Sequence, residues 1–457
     1  MKAILICMAL ILLTGCSEDW LEERADKSIV VPSTLADLQA LLDNSGYMNG
    51  NNLISGVLPD MGENATDDYY LKEAVWNTMF IPYKNSYVWN KDIFEGVSIS
   101  DDWNRPYKVV FYANTVLDIM EGMTPKDSEK IEYDNIKGSA LFHRANAFFH
   151  LAQVFAKPYD VTTADNDLGI PLRLTSDFNV KTSRATIRET YDQIITDLKT
   201  AEGLLPDQPL YKTRPSKAAV YGLNARMYLV MGDYSKALDN AEKCLEIQNS
   251  LIDLNTVNVN ANLPFVRFGP EVIFDASILS GVALLSHIVS PDLYESYGNN
   301  DLRKAAYFRV ISGELKFKGS YTRSQYVLFG GLATDEMYLI KSECLARADK
   351  IDLAMATLQT LLESKYTKQD GISTFVPYTP TDKNDALDII FEERRKELPF
   401  RGLRWMDLRR LNLQGKNIVL RREIGGQEYI LEPNSERYTY PIPEYVIIAS
   451  GIEQNPR

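Results

Sequence analysis

The chain is short of the residues that carry metal and nucleophile chemistry. Only three His and four Cys occur in 457 residues. His143 and His150 stand seven apart on one helical pattern, so they make no i, i+4 metal pair, and no Glu follows His143. Cys244 and Cys344 have no paired spacing and no neighbouring His, which reads as two small buried hydrophobes. There is no glycine-rich phosphate loop, dinucleotide fingerprint, zinc-protease helix or C-x-x-C pair, so neither cofactor nor metal is expected. Carboxylates are plentiful, with 62 Asp and Glu, yet nothing sets two of them together as a general acid and base. The excess of acid gives a formal net charge of −13, which argues against nucleic acid or an anionic membrane surface as a partner.

Long apolar runs are also scarce. One lies at residues 1–16, where Lys2 precedes an apolar stretch from Ala3 to Leu13, too short to span a bilayer. It reads as a signal peptide over 1–15. The ending Leu13-Thr14-Gly15-Cys16 resembles a bacterial lipobox, with Cys16 as the acylated (palmitate-bearing) residue. Ser17-Glu18-Asp19 opens an acidic tether over 16–32 and looks like an export signal to the outer face of the outer membrane. No later stretch has the length and apolarity of a membrane-spanning helix.

Aromatic residues are in surplus and unevenly spread. Residues 69–112 hold 12 of them in 44 positions, including three of the five Trp. Trp103, Tyr107 and Phe111 share a helical face with Val110 and Leu117 and are expected in the core. Trp76, Tyr83, Tyr87 and Trp89 have no clean period, surround Pro82, and are expected on a loop. Exposed loop aromatics stack on sugar rings or peptide side chains, so these four are candidate ligand contacts. Tyr294 and Tyr297 join them, on an expected surface loop from Ser290 to Asn300.

The rest is largely helical. Leu35, Leu38, Leu41 and Leu42 make a short amphipathic helix capped by Ser33 or Thr34. Helix pairs are expected near 138–205, 216–251, 335–365 and 385–412. The pair at Ala218–Leu251 reads as a tetratricopeptide repeat, turning at Gly232-Asp233-Tyr234, and 335–365 is a fainter copy. Four such pairs suffice to stack a continuous core. Inserted stretches 44–104 and 252–333 fall outside the pairs, the second with short β-like runs at 272–275, 315–318 and 326–329, and they are expected to form the ligand side.

The last pair carries the densest pattern. Glu393, Arg394, Glu397, Leu398, Phe400, Gly402, Arg404, Trp405, Asp407, Leu408 and Arg410 spell E-R-x-x-E-L-x-F-x-G-x-R-W-x-D-L-x-R. Charges this dense beside Trp405 predict a partly buried ion-pair network clamping two helices. The pattern resembles the C-terminal signature of the SusD/RagB (starch-utilisation-system-like) family of nutrient-uptake lipoproteins. That family often has an acidic residue where Arg401 stands. Tyr440-Pro441-Ile442-Pro443 and Gln454-Asn455-Pro456 resemble its closing segment, although Ala449-Ser450 and Arg457 depart from it.

The resemblance implies a mainly α fold in one domain over 33–457, tetratricopeptide-like on one side and loop-rich on the other. It implies a cell-surface lipoprotein without enzymatic activity. Such a protein captures a glycan or peptide and hands it to a SusC-like TonB-dependent transporter, acting as its lid. An outer-membrane glycosidase and a repeat-based scaffold without small ligand are the alternatives.

Overall fold

The computed structural model describes residues 32–50, 56–279 and 286–457. The expected signal peptide, Cys16 and the tether up to residue 31 lie outside them. The main helices are α1 (Leu35–Leu42), α2 (Glu73–Asn77), α3 (Ile81–Tyr87), α4 (Asp101–Glu121), α5 (Lys130–Phe155), α6 (Ile187–Leu204), α7 (Lys217–Met231), α8 (Tyr234–Ile247), α9 (Pro291–Glu295), α10 (Thr334–Arg347), α11 (Ile351–Leu362), α12 (Lys383–Glu397), α13 (Arg404–Leu413) and α14 (Glu444–Ser450). All sheets among the described residues are two-stranded, and the expected runs near 272, 315 and 327 are strands.

Local chemistry sets the helix ends. Thr34 and Asp37 form a capping box on α1, and Thr186 and Glu189 form one on α6. Asp382 caps α12 by accepting from the amides of Asn384 and Asp385. Gly232 closes α7 at φ +77°, a conformation that costs a Cβ-bearing residue energy, and Asp233 then caps α8. Helix α5 is buried from Gly138 to Phe155, and its alanines let neighbours approach closely. At Gly138 a Cβ would stand 2.9 Å from Leu205 Cγ, so the α5–α6 approach requires glycine there.

The pairs α5–α6, α7–α8 and α10–α11 pack side by side, and contacts α8–α10 and α10–α12 join successive pairs. This is the stacked helical-pair architecture read from the sequence. Cys244 and Cys344 are buried and free, and the Cys244 thiol donates to the Ala218 carbonyl at 3.2 Å.

Three local expectations are corrected. The stretch from Trp76 to Trp89 is not a loop, because Pro82 sits in the first turn of α3, where its missing N–H costs nothing. Ser290–Asn300 begins with the helix α9 rather than a surface loop. Phe111 is exposed, since α4 buries the stripe of Trp103, Val110 and Ala113 instead.

The charged C-terminal pattern is the ion-pair hub that its composition predicts. Between α12 and α13, Arg394 binds Asp407 at 2.8 Å, and Arg410 binds both Asp407 at 2.8 Å and Glu343 at 2.6 Å. Glu393 and Glu397 share one face of α12 and would repel each other. Arg303 enters between them, at 2.7 Å and 3.0 Å, and also holds Asp301 at 2.6 Å. Lys396 pairs with Glu393, at 2.6 Å, rather than with Glu392 four residues earlier. Arg404 grips Asp67 with two bonds of 2.8 Å, and Arg395 holds Asp68 at 2.9 Å. Arg401 binds Asp335 at 2.5 Å. The hub thus ties the N-terminal third, the 252–333 insertion and α10 to one motif. Buried pairs of this kind specify geometry more than they add stability.

Candidate functional site

The six aromatics singled out as ligand contacts divide into two groups. Tyr87, Trp89 and Tyr297 are core residues, each no more than 2% exposed. Trp89 donates its indole N–H to the Ala65 carbonyl at 3.0 Å, and the Tyr297 hydroxyl donates to the Lys396 carbonyl at 2.7 Å. Tyr87 and Trp89 serve Arg422, whose guanidinium lies 3.6 Å from the Tyr87 ring and 4.9 Å from that of Trp89. Part of the aromatic surplus therefore lines the pocket of a buried cation and cannot meet a ligand.

The other three are half-buried. Trp76 has Lys84 4.3 Å over its ring, and Tyr294 has Lys304 at 4.3 Å. Tyr83 stands against the exposed ring of Phe80, edge-on at 5.9 Å. Burial, then the carboxylates of Asp60, Asp102 and Asp101, raise the Tyr83 hydroxyl well above its usual pKa. The structure thus brings Tyr83 to the start of α4 and leaves Trp76 and Tyr294 elsewhere.

The start of α4 forms a cleft of about 360 Å³, lined by Tyr47, Asp101, Asn104, Arg105 and Lys108, with Gly56 and Val57. Arg105 is oriented by Asp101 at 2.7 Å and by the Gly56 carbonyl at 2.9 Å. Tyr47 is 44% exposed and stacks on Tyr112 at 5.6 Å, with the Lys108 ammonium 3.8 Å from its ring. Phe111 extends the apolar surface, edge-on to Tyr112 at 5.8 Å. The Tyr445 hydroxyl closes one side by bonding Asn104 Oδ1. Exposed rings beside a carboxylate, an amide and a guanidinium are what a sugar needs: π-faces for its C–H side, and acceptors and donors for its hydroxyls.

Of the residues that line this cleft the sequence reading singled out none as a ligand contact. Asp101–Arg105 and Lys108–Tyr112 are i, i+4 pairs on the polar side of the α4 pattern, a signal that would have marked that face as exposed. Tyr47 carries no such signal.

One carboxylate cluster has metal-like spacing. Glu271, Asp335 and Glu397 offer oxygens within 4.8 Å of one another, all buried. The place of a cation is taken by the chain's own Lys365, whose ammonium lies 2.6 Å from Glu271 and 3.4 Å from Glu397. Arg401 neutralises Asp335, and the Tyr321 hydroxyl donates to Glu271. The residues are saturated internally and do not fit a metal site.

Residues 19–229 match a SusD-like family model described as "Starch-binding associating with outer membrane". SusD-like protein P2 of Formosa agariphila is 25% identical, over 90% of this chain and 91% of its own length. A SusD superfamily protein of Bacteroides thetaiotaomicron superposes with a TM-score of 0.72 at 22% identity, covering 93% of this chain and all of its own. A SusD-like carbohydrate binding protein of Bacteroides vulgatus gives 0.67 at 19% identity, covering 92% and 97%. No helix among the described residues is long and apolar enough to cross a membrane. With the helical-pair fold and the charged C-terminal hub, these matches make the chain similar to SusD-like proteins over about nine-tenths of its length.

Proposed function

We propose that this protein is a glycan-binding lipoprotein of the outer membrane, anchored through Cys16, that captures saccharide at the α3–α4 face and passes it to a TonB-dependent transporter. The observation that carries the binding role is the cleft at the start of α4, where the exposed Tyr47 ring stands with Asp101, Asn104 and Arg105. Its donors and acceptors are fixed before ligand arrives, so little ordering cost is left to binding. Capture without chemistry is the activity assigned. The carboxylates with close mutual spacing are buried and ion-paired, and Asp101 in the cleft is held by Arg105. The transporter and the lipid anchor are supported by the similarity to SusD-like proteins and by the lipobox-like Leu13-Thr14-Gly15-Cys16.

Calorimetry of the purified full chain in detergent against glycans and peptide mixtures, with product analysis, tests this reading. Binding without turnover, weakened in Tyr47→Ala and Asp101→Asn, is expected. Turnover, or peptide binding in place of glycan binding, overturns it. Loss of surface attachment in Cys16→Ala cells tests the anchor, and co-purification of the transporter with wild-type chain tests the partnership.

A further inference from the structure

The turn of α4 that borders this cleft borders another. On its far side lies a cleft of about 370 Å³ with Trp103 and Tyr107 along it, Phe178 and Val180 on one wall, and Val446 and Ile452 on the other. Trp103 and Tyr107 are one helical turn apart, with ring centroids at 4.8 Å. The Tyr107 hydroxyl donates to the Pro171 carbonyl at 2.8 Å, which fixes its ring.

The wall beyond is braced. Arg173 donates to the carbonyl of Asp177 at 2.7 Å and to Thr182 Oγ1 at 3.0 Å. The Asp118 carboxylate accepts from the Ser176 amide at 2.7 Å and from its hydroxyl at 2.6 Å. On this braced loop Phe178 is 83% exposed, beside the polar side chains of Asn179, Thr182 and Ser450. A large ring presented to water by a fixed loop, next to hydroxyl and amide groups, repeats the chemistry of the first cleft.

The clefts are neighbours by construction. Asn104 lines the first, while Trp103 and Tyr107 line the second. Tyr445 bonds Asn104 on one side of the ridge, and Val446 lines the cleft on the other.

We propose that the two clefts are successive subsites for one extended glycan chain, which crosses α4 at the Asn104–Tyr445 ridge and rests a second sugar ring on Phe178. This inference rests on the reading of the first cleft as a glycan site. The ligand must then be longer than the helix it crosses, about 10–12 Å across.

The test uses the full chain in detergent. Affinity electrophoresis against amylopectin, laminarin, xyloglucan and galactomannan selects the retained polysaccharide. Calorimetry then measures its oligosaccharide ladder on wild type, Phe178→Ala and Tyr47→Ala. Phe178 is on the surface, so its loss does not threaten folding. The expected result is affinity that climbs with ligand length. Phe178→Ala should bind long oligosaccharides about tenfold more weakly and the shortest ones unchanged. Tyr47→Ala should weaken binding at every length. Wild-type affinity that levels off at the disaccharide, or a Phe178→Ala variant equal to wild type on long chains, overturns the two-subsite proposal and leaves the first cleft standing. A Tyr47→Ala variant that binds as wild type, or no polysaccharide retained, overturns both.

Discussion

Arg422 is buried with its guanidinium carbon 3.6 Å from the centroid of the Tyr87 ring. Its donors go to backbone carbonyls, of Tyr87 at 2.6 Å and of Thr66, and its charge is met by the rings of Tyr87, Trp89 and Tyr69. Arg422→Ala should lower stability by at least about 3 kcal/mol, since it removes a desolvated cation–π contact and leaves buried carbonyls unpaired. The urea unfolding midpoint measures this, and a shift too small to resolve would contradict the assignment.

Trp89→Ala should act the same way. It opens a cavity in the core and costs about 3–5 kcal/mol. The folded fraction should keep its affinity for glycan, which binding measured well below the transition checks directly.

Lys365 carries the burden of three buried carboxylates. Lys365→Met should destabilise the protein by about 3–5 kcal/mol near neutral pH, because Glu271 and Glu397 lose their shared cation. Burial already lifts Glu397 to about 7, despite the pull of Lys365 and Arg303. Removing the lysine lifts it further, so the variant should recover stability relative to wild type as pH falls from 8 to 5. Thermal denaturation across that range gives the slope, and a deficit independent of pH would count against the charge argument.

Glu63 titrates in the opposite sense to an ordinary paired carboxylate. Burial first, and Asp68 second, push it up to about 8 from an unperturbed 4.5, while the Gly402 amide it accepts from opposes the shift. Asp67 and Arg404 also face it. A raised carboxylate favours the folded state in its protonated form. Its contribution is therefore fully present below about 4.5 and is lost as pH rises through about 8. Glu63→Gln keeps an acceptor for Gly402 and removes the titration. The variant should gain on wild type as pH rises from 5 to 9, by a few kcal/mol at most. Parallel stability curves for the two proteins would refute this.

The helical pairs were legible because each is long, amphipathic and punctuated, as at Gly232-Asp233 between α7 and α8. The hub was legible because Glu393, Arg394, Glu397, Arg404, Asp407 and Arg410 cluster in sequence as they do in space. Their partners Asp67, Asp68, Arg303, Glu343 and Lys365 were not, since charge pairing across tens to hundreds of residues leaves no periodic trace. The aromatic stretch misled for a physical reason. Composition reports how many rings there are but not which way they point, and Tyr87 and Trp89 turn inward to a guanidinium from residue 422. Tyr47 was missed because a lone tyrosine in a polar run carries no pattern at all.

The bond between Asp67 and Arg404 closes a loop of more than three hundred residues, as do those of Arg395 and Asp68. Acids in the first third of the chain wait for bases that emerge from the ribosome near its end. Until then Asp67, Asp68 and Glu63 have no interior to enter. Closure entropy must be met before these contacts repay it, so the hub forms late and the chain folds slowly for a helical protein. A core whose hub closes only when about the last seventh of the chain arrives cannot be complete while the chain is still being made.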